Sequence, residues 1–215
     1  QSVVDTVLCT PGALSAYRRA VVLEVLDDWL EQTFFGQPAR IGEDRAMTNA
    51  ILREGYLSRF QSTAVVHTKA PLGYKQLTKM FLRWARSNVR ETLAMATFVF
   101  GDFRRSSALG ARVMFGLGAL RTLMAPVLLG GTILCVAAAP LSYLPPLLLG
   151  AALSGCIPAL FYAWRHGATH AAWGVAYALF WLASLSWIGP YAILTAANSN
   201  WMTRDKSRPD PVATP

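Results

Sequence analysis

Between residues 122 and 197 the chain carries one charged residue, Arg165, with His166 and His170 close by. Every other Lys, Arg, Asp and Glu lies outside that stretch. A soluble fold does not segregate charge in this way, because its helices and strands each need a wet face. The stretch is therefore read as membrane-embedded. About 20 apolar residues cross a bilayer core, and residues 122–142 and 144–164 each reach that length. The uncharged connection around Ser142-Tyr143-Leu144-Pro145 is expected outside, with Arg121, Arg165, His166 and His170 inside. A third apolar stretch, 171–197, is interrupted by Gly189-Pro190 and followed by Arg204, Lys206 and Arg208. One plain crossing would leave that basic tail outside. Two crossings need roughly 40 residues. A segment bent at Gly189-Pro190, re-entrant or interfacial and buried by other protein, keeps the tail inside. A third simple span with an external tail is the alternative.

Apolar residues make up 53% of the chain, charged residues 15%, and the net charge is +8. This excludes a wholly soluble protein, a disordered one and a nucleic-acid binder that is merely basic. In a membrane protein the basic excess is a topology signal, and it suits anionic headgroups or an anionic substrate such as a nucleotide sugar. Cys9, Cys135 and Cys156 form neither a metal pattern nor a disulfide framework. His67, His166 and His170 have no ligand spacing, so no metal ligand is assigned in this chain. The start, Gln1-Ser2-Val3-Val4, has no initiator Met or signal peptide and reads like the interior of a longer protein whose N-terminal part is missing.

Residues 1–70 are expected to belong to an α/β domain. Residues 3–9 and 59–68 read as strands, and 21–30 as a helix. Gly36 and Pro38 mark 32–40 as a loop. Asp44 is placed as the N-cap of a helix over 45–54, stopped by Gly55. Residues 71–110 change character. A helix over about 72–90 sets Leu77, Phe81 and Trp84 on one face and Lys75, Lys79, Arg83, Arg86 and Arg90 on another. An apolar face opposite a basic one describes a helix lying at a membrane interface. Residues 95–100 are expected to form a second, shorter one. Residues 111–197 are then the transmembrane region and 198–215 a cytoplasmic tail.

Four strings follow in order: Cys9-Thr-Pro-Gly-Ala-Leu-Ser-Ala-Tyr17-Arg18-Arg19, Gly42-Glu43-Asp44-Arg45-Ala-Met-Thr48-Asn49, Arg83-Trp84-Ala85-Arg86-Ser87 and Trp201-Met202-Thr203-Arg204. With the interface helix and the spans, they resemble the second half of a processive family-2 glycosyltransferase. The similarity is to hyaluronan synthases and chitin-oligosaccharide (nodulation-type) synthases, and it runs over about residues 3–205.

The resemblance implies a partial GT-A domain over 1–70. It also implies transfer from a UDP-sugar (UDP-GlcNAc, UDP-GlcUA or both) with inversion, and export of the growing polysaccharide through the enzyme's own spans. The enzyme would be a multi-pass protein of the plasma or inner membrane with its catalytic part in the cytoplasm. Asp44 matches the general base, Glu43 the acidic residue beside it, and Arg45 a residue that orients this pair or binds substrate. Arg83 would meet the UDP diphosphate and Trp84 the acceptor sugar. Trp201 and Arg204 would fold over the nucleotide. Cys9, Tyr17, Arg18 and Arg19 match the string near acceptor and nucleotide. Two positions depart from the pattern: Met80 stands where the family has Gln, and Met202 where hyaluronan synthases have Gly. The first puts acceptor preference in doubt. The family's Asp-x-Asp site for a divalent metal, Mg or Mn, and its nucleotide-binding lysine are not among these residues. The chain alone is expected to bind UDP-sugar poorly and to be inactive. The alternative from a different class is a non-catalytic membrane subunit that carries polymer.

Overall fold

The computed structural model describes residues 2–39 and 41–198. The described chain is mostly helical, and it divides into two compact units. One takes in the chain up to Leu120 together with the segment from Ala192; the other is Arg121–Tyr191.

In the first unit, α1 (Arg19–Leu30) and α2 (Glu43–Arg53) pack through Val21, Val25, Met47 and Ile51, with Trp29 and Tyr56 at the margin. Val21 and Val25 stand one turn apart, as do Met47 and Ile51, so each helix offers one apolar stripe to the other. Between them lies a hairpin of two residues per strand, β1 (Thr33–Phe34) and β2 (Gln37–Pro38), where the sequence predicts a loop. Its turn residues Phe35 and Gly36 both have positive φ, as tight hairpin turns require.

Asp44 is not the N-cap of α2. The helix begins at Glu43, two residues earlier than expected, behind Gly42, whose φ of 81° is left-handed. Asp44 thus lies in the first turn, where a carboxylate still complements the helix N-terminus. Gly55 does stop the helix: its N–H donates to Leu52 O (3.0 Å), and the Tyr56 N–H donates to Ile51 O (3.2 Å). These two bonds satisfy carbonyls that the helix end would leave open.

Helix α3 (Tyr74–Ala96) extends beyond the predicted 72–90. The basic stripe does not survive as a single face. Lys75 is exposed, but Arg86 and Arg90 are 3% and 2% exposed. The inner half of the stripe is packed inside the unit, where Arg86 Nε and Arg90 Nη2 each donate to a protein oxygen, as described below. The predicted short helix at 95–100 is a set of turns instead. Arg112 caps them, Nε donating to Val99 O (3.1 Å) and Nη2 to Gly101 O (3.2 Å). Met95, Val99 and Ala111 form a second core there with Leu8, Phe98, Phe103 and Phe115.

The α/β expectation for 1–70 is corrected as well. Residues 2–4 form a 3-10 turn, and neither 3–9 nor 59–68 is a strand. The two segments nevertheless meet. Val7 N–H donates to Ser58 Oγ (2.8 Å), Ser58 Oγ donates to Val7 O (2.8 Å), and Ser58 N–H donates to Asp5 O (3.4 Å). Arg59 Nε also donates to Asp5 Oδ1 (2.6 Å) and the Phe60 N–H to Ser2 Oγ (2.6 Å), but these side-chain ties make no ladder, which needs a neighbour along its whole edge.

Among the described residues two helices are long and apolar enough to cross a membrane: α4 (Leu109–Ala138) and α5 (Pro140–His166). The break between them falls at Ala139, and Ser142–Pro145 lies inside α5 rather than in a loop. Pro140 occupies the first helical position, where its missing N–H is harmless. Helix α6 (Ala172–Ser184) and helix α7 (Ile188–Leu194) are separated by a break, and the chain bends by 44° there. The bend thus precedes Gly189-Pro190, which sits in the first turn of α7, where proline is tolerated. Helices α5 and α6 cross at small residues. A Cβ on Gly155 would stand 2.8 Å from Gly174 O and 2.9 Å from Ala178 Cβ, and a Cβ on Gly174 would stand 3.0 Å from Ala159 Cβ. Gly155/Ala159 and Gly174/Ala178 are both small-x-x-x-small pairs, which let helix backbones approach in lipid.

Gly42 joins α2 to α3 most tightly. A Cβ there would stand 1.7 Å from Ser87 Oγ and 2.4 Å from Ser87 Cβ, on a backbone that already disfavours a side chain. Gly42→Ala is expected to cost about 2–4 kcal/mol from strain and overpacking together. The drop in the thermal denaturation midpoint of the full chain measures it. Adding Ser87→Gly should recover the overpacking part and leave the strain.

Candidate active site

The site forms where the first string lies against the start of α2. Thr48, one turn after Asp44, is its hub. Its hydroxyl donates to Asp44 O (2.7 Å), accepts from the Thr10 N–H (3.0 Å), and stands 2.7 Å from Thr10 Oγ1. Thr10 Oγ1 is in turn 2.6 Å from the Tyr17 hydroxyl. Donation from Tyr17 to Thr10 to Thr48 to Asp44 O satisfies every hydroxyl in one direction. The Asp44 carboxylate accepts from the Arg45 N–H (2.8 Å, Oδ1) and from the Gly12 N–H (3.4 Å, Oδ2). It is half-buried, so it keeps a face toward solvent. Two backbone donors hold a carboxylate in place and leave lone pairs to take a proton.

Cys9 borders this carboxylate. Burial, and after it the Asp44 charge, push its thiol up to about 11; Arg45 partly offsets them. Glu43 is exposed, and its carbonyl accepts from Trp29 Nε1 (3.0 Å). Arg45 turns toward α3, where Nη2 donates to Thr92 Oγ1 (3.2 Å) and Nη1 to Asn88 Oδ1.

The third string reaches the same place from α3. Ser87 abuts Gly42, Arg90 Nη2 donates to Ile41 O, and Asn49 Nδ2 donates to Glu91 O (2.8 Å) and Oε2 (2.9 Å). Arg83 and Trp84 lie one turn before Ser87 and Asn88, hence on the faces that meet Gly42 and Arg45. Arg83 is half-buried. Trp84 is 50% exposed and meets Phe81 edge-on at 5.6 Å. Met80, at the family's Gln position, is half-buried on the same helix.

The structure therefore brings together Cys9, Tyr17, Asp44 and Arg45. Arg18 and Arg19 are exposed at the start of α1, and no hydrogen bond among the described residues joins them to the cluster. Trp201 and Arg204 lie outside the described residues. Among the described residues no three His, Cys, Asp or Glu side chains stand close enough to hold a metal ion.

Sequence reading missed Thr10, Gly12, Thr48, Ser87 and the Asn49–Glu91 pair. The first four sit inside the quoted strings, so their neighbourhood was marked though their roles were not. Glu91 carried no signal. It is 1% exposed, accepts from Asn49 and from Gln32 Nε2 (3.1 Å), and lines a cavity of about 120 Å³ with Trp29 and Phe98. That cavity touches Ala46, Asn49, Ala50 and Arg53, the face of α2 opposite Asp44 and Thr48.

Curated proteins similar in sequence to this chain include some named N-acetylglucosaminyltransferase and some named hyaluronan synthase. An "N-acetylglucosaminyltransferase" of Azorhizobium caulinodans is 37% identical over 92 residues, 43% of this chain and 23% of that protein. Hyaluronan synthase 3 of Gallus gallus is 36% identical over 93 residues, 43% of this chain and 16% of that protein. Hyaluronan synthase 2 of Rattus norvegicus is 33% identical over 93 residues. The matched stretch spans less than a quarter of either of the first two proteins' length. No protein-family model matches the chain. The relatives thus bear out the resemblance to both kinds of synthase, over a stretch of 92–93 residues that is shorter than the 3–205 expected from the sequence.

Two outcomes follow from the titrations. A thiol held about two units above its ordinary value has roughly a hundredfold less thiolate at neutral pH. Cys9 should be alkylated that much more slowly than a peptide thiol, and Asp44→Asn should speed it, as mass spectrometry of the full chain would read. Burial also raises Glu91 above its ordinary value of 4.5, against the hydrogen bonds of Asn49 and Gln32. A raised acid favours the fold while protonated: its contribution is full below the unfolded value and is lost as pH rises through the folded one. Glu91→Gln should flatten the fall of thermal stability with pH above 4.5.

Proposed function

We propose that this chain is part of a processive, inverting membrane glycosyltransferase that polymerises UDP-sugars into a β-linked polysaccharide, with residues 1–70 part of its GT-A domain. The observation that carries this reading is the half-exposed Asp44 carboxylate, held by two backbone N–H groups on a turn that Gly42 locks to the Arg83-Trp84 helix. The acceptor hydroxyl gives its proton to Asp44 as its oxygen attacks the anomeric carbon. The bond from that carbon to the UDP oxygen breaks, and the configuration inverts. Arg83 meets the leaving diphosphate, where a guanidinium offers paired donors. Trp84, exposed on the turn before Asn88, offers its ring face to the acceptor sugar. Trp201 and Arg204 close over the nucleotide. The divalent metal, Mg or Mn, is assigned to ligands outside this chain.

The helices α4 and α5, with the bent 171–197 segment, form the lipid-embedded part through which polymer leaves. The protein is multi-pass in the plasma or inner membrane, with Asp44 on the cytoplasmic side. The N-terminal half of α3, with Lys75 and exposed Tyr74 and Trp84, rests at the membrane surface, where a polar tip on an apolar body is favoured. The relatives named N-acetylglucosaminyltransferase support a second product, a chitin-type oligosaccharide from UDP-GlcNAc alone.

The test uses the full-length protein in membranes, given UDP-GlcNAc and UDP-GlcUA singly and together. High-molecular-weight polymer only with both sugars identifies hyaluronan, and polymer from UDP-GlcNAc alone identifies the chitin-type product. Asp44→Asn should lower polymer synthesis at least roughly 10²-fold, the usual worth of a positioned general base. Unchanged synthesis in that variant would exclude catalysis at this site and leave a non-catalytic polymer carrier.

A further inference from the structure

The second arginine of the Arg83-Trp84-Ala85-Arg86-Ser87 string does not face solvent or an open cleft. Arg86 is 3% exposed, and its Nε donates to Thr195 Oγ1 at 3.0 Å across 109 residues of sequence. Ala192 and Ala196, on either side of Thr195, are buried, so this short segment is seated by small side chains with one hydroxyl among them. The next residue on α3, Ser87, fills the space a side chain on Gly42 would need. One turn further, Arg90 holds the Ile41 carbonyl. Within a single turn and a half of α3, consecutive contacts thus hold the end of the last apolar stretch and the two residues that precede the Glu43-Asp44 pair.

We propose that Arg86 is a positioning residue. Through Thr195 and through its neighbour Ser87, it keeps the 192–198 segment and the Ile41-Gly42 turn in one fixed register, and so sets the orientation of Asp44. A buried guanidinium suits this task because it is rigid, planar and always charged, and it loses little freedom for each hydrogen bond it makes. Thr195 suits it as an acceptor that is short, stiff at χ1 and neutral. The role rests on the glycosyltransferase reading for its catalytic consequence, but the coupling itself is a property of the chain.

The test takes the full-length protein with Thr195→Val, which keeps the shape and removes the acceptor, and Thr195→Ser, which restores it. Hydrogen exchange of residues 41–45 and 192–198 is followed beside donor KM, kcat and the pH profile of kcat. Thr195→Val should speed exchange in both segments together. It should lower kcat at least roughly tenfold, the worth of one hydrogen bond to a charged group, and shift the acidic limb of the pH profile while donor KM moves less. Thr195→Ser should return all of these toward wild type. Arg86→Lys, which keeps the charge but not the fork, should recover only part. Faster exchange confined to 192–198 would overturn the coupling, as would wild-type kinetics in Thr195→Val or equal losses in Val and Ser. If the wild-type protein transfers no sugar from any donor, the glycosyltransferase reading fails, and the exchange of 41–45 still decides whether the two segments are coupled.

Discussion

The contact between Gly42 and Ser87 sets what the rest of the first unit can do. The Ser87 side chain takes the space that a side chain on Gly42 would need, so α2 and α3 meet at one distance and in one register. The remaining ties fall into place one turn apart: Arg45 to Asn88 and Thr92, then Asn49 to Glu91. Each is a polar pair buried or half-buried between two helices, and such pairs are strongly directional where water is excluded. An apolar seam could slide by a residue at small cost. This one cannot, because a slip would strand the Asn49 amide and the Glu91 carboxyl without partners.

The site inherits that rigidity from one side only. Asp44 hangs on the first turn of α2, and its other contacts come from a loop, through Gly12, Thr10 and Tyr17. The hydroxyl relay through Thr48 fastens the loop to the helix backbone without consuming the carboxylate. Structure and reactivity are thereby separated within a few residues: Thr48 bears the loop, and Asp44 stays available. Arg45 makes the same division in reverse. Its position beside Asp44 reads as orienting that carboxylate or binding substrate, and its guanidinium is engaged at the helix seam.

The sequence exposed the helices well, because α1, α2 and α3 each carry apolar residues at helical spacing and Gly55 marks a stop. It also exposed the apolar stretches, since the absence of charge over 122–197 is independent of any contact. It misjudged residues 3–9 and 59–68. Their β-branched residues fit a strand, but a strand exists only where another backbone runs beside it, and here the backbone bonds join Asp5 and Val7 to Ser58, with Arg59 paired to Asp5 by its side chain. It misjudged the stripe on α3 for a related reason. Arg86 and Arg90 at helical spacing look like a solvated face until the carbonyl of Ile41 and the hydroxyl of Thr195 are known to wait for them. Of the site, the strings located Cys9, Tyr17, Asp44 and Arg45. The long-range partners Thr195 and Glu91 had no local pattern to betray them.

The crossing of α5 and α6 bears on the order in which the chain is assembled. In lipid no hydrophobic effect drives helices together, and association rests on close packing. Gly155 and Gly174 leave no room for a side chain at their crossing, so the two backbones approach closely there. The 3-10 turn at Ala168–His170 that links them is short. Two neighbouring helices with a short connection and a self-sufficient seam can pair as soon as both have left the ribosome. Pairing of this hairpin would then precede any partner that arrives from elsewhere, and it would enter the bilayer as one preformed piece.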